Sequence, residues 1–214
     1  MLYKYFRFNK NSLDALSKRK LWASTPDKFN DPHEFNVRST FLDDDRYEQR
    51  LLFLDQIKNF GIISFSELNN NSTMWGHYSD DHRGFCLGFE FEPKPEAFSV
   101  YKVNYNDELP NFDLNNLWTI KGTASALYTK GVEWAHEKEW RNIITDIEGE
   151  DLIKNRGGLS GYGVKLREVI FGARTTPENI KSIKQILEKD KVLYFTAVLE
   201  NDNRKIAIQP LLDN

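Results

Sequence analysis

Residues 134–144 read WAHEKEWRNII, and they restrict the fold more than any other stretch, because the two backbones open to them give different chemistry. In an extended chain side chains alternate between two faces, so Glu137, Glu139 and Arg141 project together while Lys138 and Trp140 point the other way. A pair of carboxylates beside an arginine then looks out of one strand. In a helix Glu137 and Glu139 diverge by about 200°, and only the Glu137-to-Arg141 spacing keeps a meaning, as an i,i+4 ion pair. The run WRNIITDI is β-branched and aromatic and stops at the acidic turn EGED, which favours the strand. The plainer version of that strand is a sheet edge with solvated charges.

The totals bound the rest. A chain of 214 residues with 40% hydrophobic content is long enough for one domain with a full core, and a single domain over 1–214 is expected. The formal charge of −3, with Lys and Arg scattered among Asp and Glu, provides no basic field for a long nucleic acid. One cysteine, Cys86, lies in the apolar run FCLGFEF, so it reads as a small buried hydrophobe in a reducing, cytoplasmic setting. The opening MLYKYFRFNKN lacks an export pattern and no window approaches eighteen apolar residues, so no membrane partner is expected.

Along the chain, LYKYFRF alternates Tyr3, Tyr5 and Arg7 with Lys4, Phe6 and Phe8 and predicts a first strand. An arginine among core aromatics has to find an anion or a set of carbonyls. Asn11 or Ser12 caps a short helix with Leu13 and Leu16 inward, and LWAS makes a brief strand. The segment TPDKFNDPHEF is dense in turn formers and reads as a shaped loop. RYEQRLLFLDQIKNF follows as a helix behind Asp43, Asp44 and Asp45, and Gly61 ends it. GIISFSE is a strand with Ser64 and Ser66 on one face, and STMWGHY is a capped helical turn. FCLGFEF and FSVYKVNY read as antiparallel neighbours, and residues 114–128 have helical spacing. NRGGLSGYG lacks the spacing of a dinucleotide fingerprint and reads as a loop before the central strand KLREVIFG. Thr176 and Pro177 open a helix, and VLYFTAVLE with KIAIQPL closes the chain as a hairpin. The expected class is α+β, with twisted, mostly antiparallel sheets and flanking helices.

An arginine on a first strand (Arg7), a serine-x-serine strand (Ser64, Ser66) and a later glutamate-x-glutamate strand (Glu137, Glu139), in that order, resemble ADP-ribosyltransferases of the arginine-serine-glutamate class. Cleaving the bond between nicotinamide and ribose develops positive charge on the sugar, which a carboxylate bonded to a ribose hydroxyl stabilises. The resemblance implies a split two-sheet fold and NAD as substrate. It implies Glu139 as the catalytic acid and Glu137 as the residue that engages the acceptor. Arg7, Ser64, Ser66, His77, Tyr78 and Arg141 would surround the nucleotide. Phe65 departs from the threonine usual between the two serines.

The segment MWGHYSDDHRG supplies His77, Asp80, Asp81 and His82, the ligand types of a metal-dependent nuclease or phosphoesterase, but at a spacing that matches no helical His-x-x-x-His face. No metal is expected there. Taken together, LYKYF, FNDPHEF, SFSE, MWGHYSDDHRGF and W-x-x-E-K-E-W-R resemble, in order, a bacterial family known only as domain of unknown function 2971, over the chain to about residue 172. That resemblance implies a cytoplasmic protein with no assigned reaction and a link to stress or phage defence. It also implies a pocket at Asn30, Asp31, Glu34, His77, Tyr78, Arg83, Glu137, Glu139 and Arg141. The alternative to a transferase is a non-catalytic ligand- or partner-binding module in which those polar residues serve one another.

Overall fold

The structure is a computed structural model that describes residues 1–39, 46–58, 60–91, 99–112, 125–144, 164–200, 202–203 and 205–212. The elements in chain order are β1 (Leu2–Phe6), α1 (Lys10–Ser17), β2 (Arg38–Ser39), α2 (Arg46–Ile57), β3 (Gly61–Ser66), α3 (Ser72–Tyr78), β4 (Phe85–Phe91) and β5 (Tyr101–Lys102). There follow β6 (Asn104–Tyr105), β7 (Asn111–Phe112), β8 (Thr129–Lys130), β9 (Glu139–Ile144), β10 (Val164–Phe171), α4 (Pro177–Ile186), β11 (Leu193–Leu199) and β12 (Ile206–Pro210). The class is α+β and mostly antiparallel, as the strand-rich pattern predicts. Residues 1–22, 65–98 and 153–214 form one compact unit, and residues 23–64 and 99–152 a second.

The first unit carries the strand order β12-β11-β10-β4-β1. Its pairs are antiparallel except β10 with β11, which run parallel and are therefore joined by a crossover that contains α4. Thr176 caps α4 by accepting from the Asn179 amide, and Pro177 stands where its missing N–H costs nothing. Strand β4 lies inside the sheet, which explains why FCLGFEF reads as an apolar run with Phe85, Cys86, Leu87 and Phe89 all buried. Tyr5, Met74, Trp75, Cys86, Ile170, Ala197 and Ile206 pack into one apolar cluster. Trp75 meets Tyr5 edge to face at 5.1 Å, and its indole N–H donates to the Asn69 carbonyl.

Helix α1 starts two residues earlier than the sequence suggests. Asn9 is the cap, and Ser12, which the sequence offers as a cap itself, is the returning half of a capping box. The bend after α3 is tight: Asp80, Asp81 and His82 all have positive φ. Gly84 is required there, since a Cβ would lie 2.0 Å from the Phe6 carbonyl oxygen.

In the second unit the order is β3-β9-β5, with β2 and β7 forming one short parallel pair and β6 and β8 another. Phe35, Val37, Phe53, Ile57, Ile62, Ala126 and Leu127 make its apolar cluster. FSVYKVNY does not pair with FCLGFEF as expected. Both sides of β4 are taken, by β1 and β10, so Tyr101 and Lys102 pair instead with Arg141 and Trp140 of β9. LWAS shrinks to one bridge between Ser24 and Ile62. Of the helix expected over 114–128, only its last turn falls in the described residues; EGED and NRGGLSGYG lie outside them.

Candidate functional site

The stretch around Glu137 takes neither of its two simple backbones throughout. Residues Val132–Glu137 form a 3-10 turn, Lys138 adopts a left-handed conformation (φ 48°, ψ 50°), and the strand begins at Glu139. Alternation along β9 then brings Glu139 and Arg141 to one face, while the left-handed step at Lys138 turns Glu137 toward the same cations.

Five charged side chains meet here, all within the second unit. Arg141 Nε donates to Glu139 Oε1 at 2.8 Å, and Nη2 donates to Glu139 Oε2 at 3.0 Å and to Glu34 Oε1 at 2.6 Å. Its Nη1 donates to the Leu127 carbonyl at 2.7 Å. Lys130 Nζ donates to Glu137 Oε2 at 2.6 Å and to Glu139 Oε2 at 3.3 Å, and it lies 3.8 Å from Glu34 Oε2, beyond hydrogen-bond reach. None of the five side chains is more than 5% exposed. The rings of Phe29 and Phe35 stand 5.5 and 5.8 Å from the Arg141 guanidinium, and Trp134 stands 4.7 Å from the Lys130 ammonium. The Tyr105 hydroxyl accepts from the Glu139 backbone N–H at 2.7 Å.

Burial and charge pull against each other at every group. Burial raises the Glu139 pKa, but Arg141 and Lys130, with hydrogen bonds from Arg141 and Ser64, more than reverse this and hold it at about 2. Burial pulls the Lys130 ammonium down; Glu139, Glu137 and Glu34 outweigh burial and leave it raised. At Glu34 the balance falls the other way. Its burial, with Glu139 nearby, outweighs Arg141 and Lys130, and its carboxyl sits above the ordinary value. Two carboxylates on one guanidinium are thus pushed in opposite directions.

The expected site residues divide as follows. Glu137, Glu139 and Arg141 come together, and Ser64 on β3 joins them by hydrogen-bonding Glu139. Ser66 is buried and its hydroxyl accepts from the Leu68 N–H two residues on. Arg7 is not among core aromatics: β1 ends at Phe6, and Arg7 is exposed just beyond it, where its carbonyl accepts from the Ser12 hydroxyl. His77 is exposed on α3, with its ring edge to face against half-buried Tyr78 at 6.1 Å. Among the described residues no three His, Cys, Asp or Glu side chains are grouped to hold a metal ion. Sequence reasoning placed Glu34 only in a general polar box and missed Lys130 and Tyr105. Lys130 sits alone in LYTKGVEW, and only its pairing with Glu137 in space gives it meaning.

Among the described residues no helix is long and apolar enough to cross a membrane. No curated protein and no solved structure matches the chain. A family model does match, over residues 74–142, a shorter stretch than the boxes beginning at LYKYF suggest; FNDPHEF and SFSE precede it. The matched third of the chain holds Lys130, Glu137, Glu139 and Arg141, and what it resembles is the family described as protein of unknown function, DUF2971.

Proposed function

We propose that the protein is a non-catalytic binding module, for a small ligand or a protein partner, in which the ion cluster is a rigid internal frame and not a reaction centre. The observation that carries this reading is the saturation of Glu139. Its two oxygens accept from Arg141 twice and from Lys130, and the Ser64 hydroxyl donates as well. An ionised carboxylate offers about four lone-pair sites, so none is left for a ribose hydroxyl. A carboxylate and a guanidinium held by so many directional contacts fix one arrangement of the segments that carry them, and a preordered surface loses less entropy on binding.

The transferase remains as a second reading because the Ser64 hydroxyl on Glu139 is the contact that the arginine-serine-glutamate resemblance asks for. In that reading Lys130 has to release Glu139 before NAD can enter, and the acceptor is undetermined. One experiment separates the two. The protein is melted with and without NAD and assayed for nicotinamide release. The binding-module reading expects no release, no NAD-dependent shift in Tm, and a lower Tm in Glu139→Gln. Nicotinamide release that disappears in Glu139→Gln, together with NAD protection weakened in Arg7→Ala, would overturn it.

A further inference from the structure

The cluster does not balance. With every group ionised it holds three negative charges, on Glu34, Glu137 and Glu139, against two positive ones, on Lys130 and Arg141. Each of the three acids has Lys130 or Arg141 within 2.8 Å, but Arg141 makes two contacts to Glu139 and one to Glu34, and Lys130 bonds Glu137 and Glu139 while stopping 3.8 Å from Glu34. Glu34 is therefore the surplus acid. It is also the one whose contacts are incomplete: Oε1 accepts from Arg141, whereas Oε2 is buried and has no hydrogen-bond partner among the described residues. Surplus negative charge on a buried oxygen with no hydrogen bond, and with its nearest ammonium 3.8 Å away, is more costly than a neutral hydroxyl lacking an acceptor.

We infer that Glu34 is folded into the protein as the neutral carboxylic acid, with its proton on Oε2, so that the cluster is a charge-balanced site for one proton. The charged groups facing Glu34 are Arg141 and Glu139 from β9, Lys130 from β8 and, through Lys130, Glu137 from the 3-10 turn. Arg141 keeps its charge in either state because Glu139 holds it. Losing the proton leaves the cluster with one negative charge too many, and Glu34 is the acid with an oxygen that no hydrogen bond holds. It sits on a short turn, with its amide on the Asp31 carbonyl and Phe35 beside it at φ 62°. The turn at 31–37 is thus the segment that a rise in pH loosens, uncovering Arg141 Nη2. This stands whichever functional reading holds.

The test compares wild type with Glu34→Gln, whose amide is neutral at every pH, by chemical unfolding between pH 5 and 8, with 13C NMR of the Glu34 carboxyl in the wild type at pH 7. If Glu34 carries a proton only when folded, the wild-type folding constant divided by that of the variant falls about tenfold per pH unit. The NMR shift is then that of the acid, and corrected hydrogen exchange at 31–37 quickens as pH rises while β9 stays protected. A ratio independent of pH, or a carboxylate shift at pH 7, would overturn the inference. The NMR arm decides even if Glu34→Gln does not fold.

Discussion

Among the described residues the two largest fully buried side chains are Trp75 in the first unit and Arg141 in the second, and the cores around them are built on opposite principles. Trp75 is packed by Tyr5, Met74, Cys86 and Ile170, groups that attract one another without direction and in proportion to area. Arg141 is held by Glu34 and Glu139 and a carbonyl, contacts that depend on angle and on total charge. An apolar core loses a methyl group and settles around the gap. An ion core that loses one member leaves the others uncompensated. The largest effect expected from a single change is therefore Arg141→Met, which leaves Glu139 with Lys130 as its one cation and takes away the hydrogen bond to Glu34 Oε1, and should lower stability by about 3–5 kcal/mol, read by urea or thermal unfolding. A loss under about 1 kcal/mol would break the comparison, since it would mean that the cluster is in contact with water.

Acid sharpens the same contrast. Glu139 is held at about 2 in the folded protein against 4.5 in the open chain. The sign follows: a carboxyl with a depressed pKa stabilises the fold above pH 4.5, and that contribution fades as the pH falls toward 2. The shift corresponds to a stabilisation on the order of 3 kcal/mol. Wild type is expected to lose stability steeply across this window, and Glu139→Gln to start lower and show a flatter acid limb. An unchanged slope in the variant would assign the acid sensitivity to other carboxylates.

How much of this could be read from residues depended on whether the signal was local. The apolar core was legible: FCLGFEF marks a strand with both sides occupied, and Thr176 with Pro177 marks the start of α4. Glu139 and Arg141 were legible as neighbours on one face because alternation is a property of the strand itself. Lys130 and Glu34 were not, because their place in the cluster depends on chain separations of 9 and 107 residues that no periodicity encodes. Glu137 was expected beside Glu139 and Arg141 along a continuous strand and reaches them by another route, the left-handed turn at Lys138. A lysine does not announce a left-handed conformation as glycine would, and without that turn Glu137 would have continued the strand. Arg7 misled for the converse reason: alternation predicted its face correctly only as long as the strand continued, and the strand stops one residue short.

In the apolar core the equivalent single deletion is Ile170→Val, which removes one methylene beside Trp75, Cys86 and Ala197. The expected loss is about 0.5–1.5 kcal/mol, with no dependence on pH or salt, measured by the same unfolding curves as Arg141→Met. A pH-dependent loss would mean that the titratable neighbours Tyr5 and Cys86 are coupled to packing.

The smallest effect separates ion pairing from burial. Lys18 donates to Asp14 across one turn at the end of α1 at 2.6 Å, as short as Lys130 to Glu137, but both of its side chains are about half exposed. Water solvates both partners before and after folding, and holding two long side chains together costs entropy. Lys18→Met is therefore expected to change stability by about 0.3–0.5 kcal/mol, and the change should vanish on raising salt from about 0.1 to 1 M, as the screening length drops to about 3 Å. Arg141→Met should keep most of its cost under the same salt, because no ions reach a side chain that is fully buried. If salt abolished both effects, distance and not burial would govern these ion pairs, and the two cores would differ less than their composition implies.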